Sequence, residues 1–150
     1  MRVVIQRVSK ASVSIEGNEV ASIGNGIMIL LGIEHEDSSD DINWLCGKIA
    51  RLRIFEDENE IMNLSISDIK GEAMVVSQFT LHASTKKGNR PSYIRAARPE
   101  TAIPLYEDFV STLSENIGSQ VKTGEFGAMM DISLVNQGPV TILIDSKTRE

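Results

Sequence analysis

One cysteine, two histidines and four prolines are all that this 150-residue chain holds of those residue types. With Cys46 as the single thiol, no intrachain disulfide is possible, and a reducing, cytoplasmic setting is the simpler expectation. No His/Cys spacing suits zinc. The carboxylates beside His35, namely Glu36, Asp37, Asp40 and Asp41, are better explained by a helix start than by a metal, so neither metal nor cofactor is expected. No apolar run approaches the ~20 residues that cross a bilayer. The stretch Met1–Arg7 enters a strand pattern without a basic segment, apolar segment and cleavage site, so neither a membrane anchor nor a secretory leader is expected. Gly24-Asn25-Gly26 lacks the helix and lysine of a phosphate loop and reads as a tight turn.

Bases are outnumbered by acids, 15 to 21, and the net charge of −6 argues against a general nucleic-acid binder. The distribution is uneven. Lys86, Lys87, Arg90, Arg95 and Arg98 fall within thirteen residues that contain no acid, leaving ten bases against 21 acids elsewhere. Such a strip is either a solvated loop or the place where a partner presents phosphate locally. A composition of 41% hydrophobic and 24% charged residues is that of one globular domain over 1–150, long enough for a core without covalent staples.

Strand patterns cover 2–8, 11–16, 19–23, 26–33, 72–81, 119–122, 131–135 and 140–145, and the turn signals at 16–19 and 24–26 suggest that the first four form a meander. Ser38 or Ser39 caps a helix with Asp40 and Asp41 in its first turn and an apolar stripe of Ile42, Leu45, Ile49 and Leu52. A second helix starts near Pro99 or Glu100 and stops before Gly118, with the stripe Ile103, Tyr106, Val110, Leu113 and Ile117; Pro104 weakens or delays its first turn. Long strands and hairpins with two helices out of βαβ alternation predict an α+β domain.

Two segments point to chemistry. Gly138-Pro139 interrupts a β-branched run from Met129 to Asp145, and a proline there removes a ladder donor. The dipeptide is either a trans bend at a sheet edge or a cis unit, which turns successive carbonyls to one side. Ser77-Gln78-Phe79-Thr80-Leu81 reads as the end of a buried strand, with Phe79 and Leu81 on the core face and Gln78, Thr80 and His82 on the other. A Thr80 nucleophile with His82 as its base lacks a third orienting residue, and His82 reads as a partly exposed surface histidine. Cys46, in the first helix beside Leu45, reads as a buried small hydrophobe rather than a nucleophile.

Taken together, Ser77–Leu81, Gly138-Pro139-Val140-Thr141 and Thr123–Met130 resemble the D-aminoacyl-tRNA deacylases, and so do Gln6-Arg7-Val8, Gly26–Gly32, Arg53–Asp57 and Lys87–Tyr93. The resemblance implies a barrel-like, mostly antiparallel sheet with the two helices packed outside. It implies a homodimer in which Gly138 and Pro139, in cis, enter the other subunit's site, with Arg7 fixing their orientation. Gln78, Phe79 and Thr80 would line the ester, Ser77 and Met129 would bind substrate, and Lys86, Lys87, Arg90 and Arg95 would meet the acceptor end of the tRNA. The reaction implied is removal of D-amino acids and glycine from tRNA, helped by the ribose 2′-hydroxyl. The chain departs from the family at Gln137, usually aspartate, and at Tyr93, more often phenylalanine.

Overall fold

Strand β1 (Arg2–Ile15) organises the sheet in the computed structural model, which describes residues 1–149. The two runs read as separate strands at 2–8 and 11–16 are one. Along one edge it pairs with β2 (Asn18–Ile23) and β3 (Gly26–Gly32), both antiparallel. Ala11 faces Ile23 and Val8 faces Gly26 in the same register, so β2 and β3 form one broken partner strand interrupted at Gly24-Asn25 rather than two legs of a meander. The other edge of β1 pairs with β8 (Asp131–Asp145), which joins the two C-terminal runs.

The sheet continues from β3 through parallel pairings to β6 (Glu72–Ser77) and then β7 (Lys122–Thr123), giving the order β2-β1-β3-β6-β7. β7 is shorter than the 119–122 pattern suggested. Because β2 and β7 come back into contact, the sheet is a nearly closed barrel. A small hairpin of β4 (Phe55–Glu56) and β5 (Met62–Leu64) lies apart from it. Gly26 lets β6 approach closely, since a Cβ there would fall inside the Glu72 carbonyl.

Helices α1 (Ser39–Ala50) and α2 (Pro99–Ile117) pack on each other and on the sheet around Val3, Ile5, Ile29, Leu31, Val75 and Phe109. A second cluster, including Val8, Val13, Met28 and Met74, fills the opposite face. Ser38 is the N-cap of α1, and Asp41 accepts from its N–H at 2.9 Å. Gly118, at φ +72°, ends α2 in the left-handed conformation expected of a glycine after a helix. Two expectations for α2 need correction. Pro104 lies inside the helix, whose start it does not delay, since near the N-terminus it removes only the bond to the Glu100 carbonyl. The buried stripe is Ala102, Tyr106, Phe109, Leu113 and Ile117, leaving Ile103 exposed and Val110 at the margin.

Asp37 and Asp41 serve a charged cluster at the foot of α1. The Met1 ammonium donates to Asp37 Oδ1 at 2.5 Å and to Ser146 Oγ at 3.0 Å. Ser146 Oγ in turn donates to Asp41 Oδ1 at 2.6 Å, and Lys147 Nζ donates to Asp41 Oδ2 at 2.9 Å. Burial raises the Asp41 pKa, but these hydrogen bonds and the Lys147 charge outweigh it and hold the carboxyl well below the ordinary range. Among the described residues, no helix is long and apolar enough to cross a membrane.

Candidate active site

Leu31 and Ser77 form the last pair of the β3–β6 ladder, and beyond them the chain has to close its own hydrogen bonds. Gln78 N–H still donates to Leu31 O at 2.8 Å; then Phe79–His82 turn into a short 3₁₀ segment, with Ala83 N–H donating to Thr80 O at 3.0 Å. The strand expected to run to Leu81 therefore ends at Ser77. This reverses two side chains. Phe79 is 56% exposed instead of entering the core, and His82 is fully buried instead of lying at the surface. Thr80 is half-buried, and Gln78 Nε2 donates to its Oγ1.

The turn is held from the β1 side, where Arg2 donates from Nη1 to Leu81 O at 2.7 Å while its other nitrogens bind Asp145. Beside it a small, mainly apolar cavity of about 70 Å³ is lined by Leu31, Ile33, Ser77, Gln78, Phe79 and Phe126, among others. Tyr106 packs edge-on against Phe126 at 5.5 Å and donates its hydroxyl to Val75 O at 2.8 Å, which ties this wall to α2. Met129, from the same glycine-containing segment as Phe126, is 90% exposed. Phe79 meets Tyr93 edge-to-face at 5.0 Å, leaving an exposed aromatic surface at the rim.

Among the described residues, no activated nucleophile appears at this site. Cys46 is buried between α1 and α2, in contact with Phe109 O at 3.6 Å, and burial pushes its thiol up to about 12. His82 Nδ1 faces Glu34, so the imidazole is directed to a carboxylate. What the turn does offer is main chain: Phe79 and Thr80 open it, and the first amides of a helical turn have no acceptor within it.

Gly138-Pro139, whose peptide bond is cis, sits in a bulge of β8. Gln6 faces Thr141 and Val8 faces Asn136, so the four residues 137–140 loop out opposite Arg7 alone. Buried Arg7 donates from Nε to Gln137 O at 3.2 Å and from Nη1 to Ile54 O at 2.7 Å. Because the contact at 137 is to main chain, it does not depend on the side chain that departs from the family pattern. Gly138 has φ +119°, and a Cβ there would lie 2.9 Å from Arg7 Nη2. Gly138 and Pro139 are both exposed.

The basic residues divide into two groups. Lys86, Lys87 and Arg90 are exposed on a loop closed by paired hydrogen bonds between Ser84 and Ser92. Arg95, about half exposed, is pinned to Glu34 at 2.6 Å. Arg2 and Glu34 were not singled out in the sequence, where their only signal was a charge at the end of an apolar strand.

Residues 4–145 match the sequence profile of the family described as D-Tyr-tRNA(Tyr) deacylase. The D-aminoacyl-tRNA deacylase of Flavobacterium psychrophilum is 64% identical over 150 residues, covering the whole of both chains. Among solved structures, the c-Myc DNA Unwinding Element Binding Protein is 39% identical and superimposes with a TM-score of 0.91, covering 97% of this chain and 98% of its own. A probable eukaryotic D-amino acid tRNA deacylase, 16% identical with a TM-score of 0.81 over 95% of this chain and 97% of its own, shares the fold. The match along nearly the full length, together with the Phe79–His82 turn and the Arg7-held Gly138-Pro139 bulge, means that this chain belongs to the D-Tyr-tRNA(Tyr) deacylase family.

Proposed function

We propose that the chain hydrolyses the ester between a D-amino acid, or glycine, and the terminal adenosine of tRNA, and spares L-aminoacyl-tRNA. Water adds to the ester carbonyl, the bond to the ribose oxygen breaks, and the proton from water ends on that oxygen, releasing the amino acid. The adjacent 2′-hydroxyl orients or activates the water, so the protein's task is positioning. The amides that open the Phe79–His82 turn meet the carbonyl oxygen as charge develops on it. Thr80 and Gln78, hydrogen-bonded to each other, bind the substrate, with Ser77 and Met129 at its margin. Lys86, Lys87, Arg90 and Arg95 take phosphates of the acceptor end.

Handedness is read by main chain. With the amino group and carbonyl fixed, exchanging L for D exchanges the side chain and the α-hydrogen, and a rigid wall on one side rejects every L residue. Gly138-Pro139 is that wall, held through Arg7. Glycine has no side chain to clash and passes.

The observation that carries the two-subunit form of this reading is the placement of two arginines on β1. Arg2 holds the Thr80 turn and Arg7 holds the wall, five residues apart on one extended strand. At roughly 3.3 Å per residue the strand spaces the two arginine backbones by about 17 Å, and the cavity beside the Thr80 turn shares no lining residue with the one beside Gly138, which supports a wall that serves the other protomer's ester. A second copy supplies it, and the exposed Val135 and Leu143 of β8 offer apolar surface for that contact.

A non-catalytic nucleic-acid-binding dimer is the second reading. It draws on the basic strip and on the name carried by the 39%-identical structure, while the net charge of −6 opposes it. Trace amounts of purified protein added to D-tyrosyl-tRNA separate the two. Turnover of many substrate molecules per protomer supports the hydrolase; stoichiometric binding without release of tyrosine rejects it.

A further inference from the structure

His82 is the unexplained group of the site. It is fully buried, and neither ring nitrogen makes an aligned hydrogen bond. A buried polar side chain left this way destabilises the fold, so a role beyond packing is expected. One side of the ring rests on the main chain of Gly32, where a Cβ would come within 3.0 Å of Cδ2 and Nε2. The other side faces Glu34, whose Oε1 lies 3.3 Å from Nδ1. That same oxygen is held at 2.6 Å by Arg95 Nη2.

One carboxylate oxygen therefore stands between a cation on the basic strip and the last residue of the turn that carries Thr80. The strip is anchored at this point by main chain as well: Ala97 N–H donates to Ile33 O at 2.9 Å, and Glu34 and Ala96 form an isolated bridge. Both ends of the link are thus fixed to the end of β3, and what remains free to change is which donor Glu34 serves.

We propose that Glu34 and His82 are positioning residues that couple phosphate binding at Arg95 to the Phe79–His82 turn. An RNA phosphate that engages the Arg95 guanidinium draws it off Glu34. The released carboxylate takes the Nδ1–H of His82, and the imidazole, satisfied on that side, locks the turn and its Thr80 carbonyl-to-Ala83 amide bond. The enzyme is then best ordered when the correct class of ligand, a phosphate-bearing acceptor stem, is in place. The inference rests on the deacylase reading for its substrate.

The test compares the full chain with His82→Asn and His82→Leu. Asparagine places a side-chain nitrogen where Nδ1 lies, two bonds from Cβ, whereas leucine fills the volume without a donor. Hydrogen exchange at the Ala83 amide is followed with and without saturating uncharged tRNA, and kcat and KM are measured separately on D-tyrosyl-tRNA. The link predicts that tRNA slows exchange in the wild type and in His82→Asn but not in His82→Leu. It also predicts that His82→Leu lowers kcat by about tenfold or more, with KM held within about twofold. Equal protection by tRNA in all three proteins, or Asn and Leu variants equally impaired in kcat, overturns it. If the wild type fails to hydrolyse D-tyrosyl-tRNA, the deacylase reading falls while the exchange comparison still decides the link.

Discussion

Arg7 reaches across the β1–β8 pairing to donate from Nε to the main-chain oxygen of Gln137 at 3.2 Å, and it is the only β1 residue opposite the four-residue bulge. A buried guanidinium tied to two carbonyls is a stiff support, so the wall's position depends on β1 rather than on the loop itself.

Arg7→Met keeps an unbranched, mainly apolar stem and removes both bonds. Each hydrogen bond to a charged group contributes about 1.5 to 3 kcal/mol, so urea unfolding should show a loss of at least about 2 kcal/mol. At concentrations where the variant is folded, its preference for D- over L-tyrosyl-tRNA should fall at least about tenfold. Full selectivity in a folded Arg7→Met would mean that something else holds the wall.

Gly138→Ala attacks the same element from within. At φ +119° any L side chain is strained, by about 1 to 3 kcal/mol, and the new Cβ would press on Arg7 Nη2 and Val140. The expected outcome is a folded protein with much reduced D-aminoacyl-tRNA hydrolysis, read from initial rates beside a thermal melt. Unchanged rates would remove the bulge from the site.

Thr80→Ala separates a binding role from attack. If Thr80 binds, the variant keeps measurable turnover with a raised KM, and replacing the terminal adenosine by its 2′-deoxy form costs the wild type more than the mutation does. A covalent threonine mechanism predicts no turnover in the variant and little effect of the deoxy substrate.

Acid stability should depend on Asp41. Its folded-state pKa is depressed, so its contribution to stability is complete above the unfolded value of about 3.9 and is lost as pH falls through that value toward the folded one. Denaturant melts from about pH 6 down to about pH 2 should fall more steeply for the wild type than for Asp41→Asn, which starts less stable because Ser146 and Lys147 lose their charged acceptor. Parallel curves would assign the acid sensitivity elsewhere.

Both helices were legible from local chemistry: Ser38 with Asp41 opens α1, and Pro99 and Gly118 bound α2. On α2 the large side chains of Ile103 and Val110 suggest an inward stripe, but the helix turns Ala102 and Phe109 to the core instead. Residues 2–16 read as two strands because Ser9 and Lys10 broke the pattern, yet a continuous partner in β8 carries the chain through. The turn at Phe79–His82 was hidden for a tertiary reason, since the apolar run Ala73–Val76 and the alternation that follows it describe a strand and only the end of the neighbouring β3 stops it. His82 was misplaced as a direct result: on a strand it faces out, on the turn it faces Gly32 and Glu34. The site motifs were visible through family resemblance, but the supporting Arg2 and Glu34 carry no motif and emerge only from contacts.

The most direct measurement is the initial rate of hydrolysis of D- and L-tyrosyl esters of the same tRNA by the wild-type protein at matched concentration. The account predicts rapid release of D-tyrosine with L-tyrosyl-tRNA left at its spontaneous rate. Equal enzymatic release of both would contradict a main-chain wall that bars one hand.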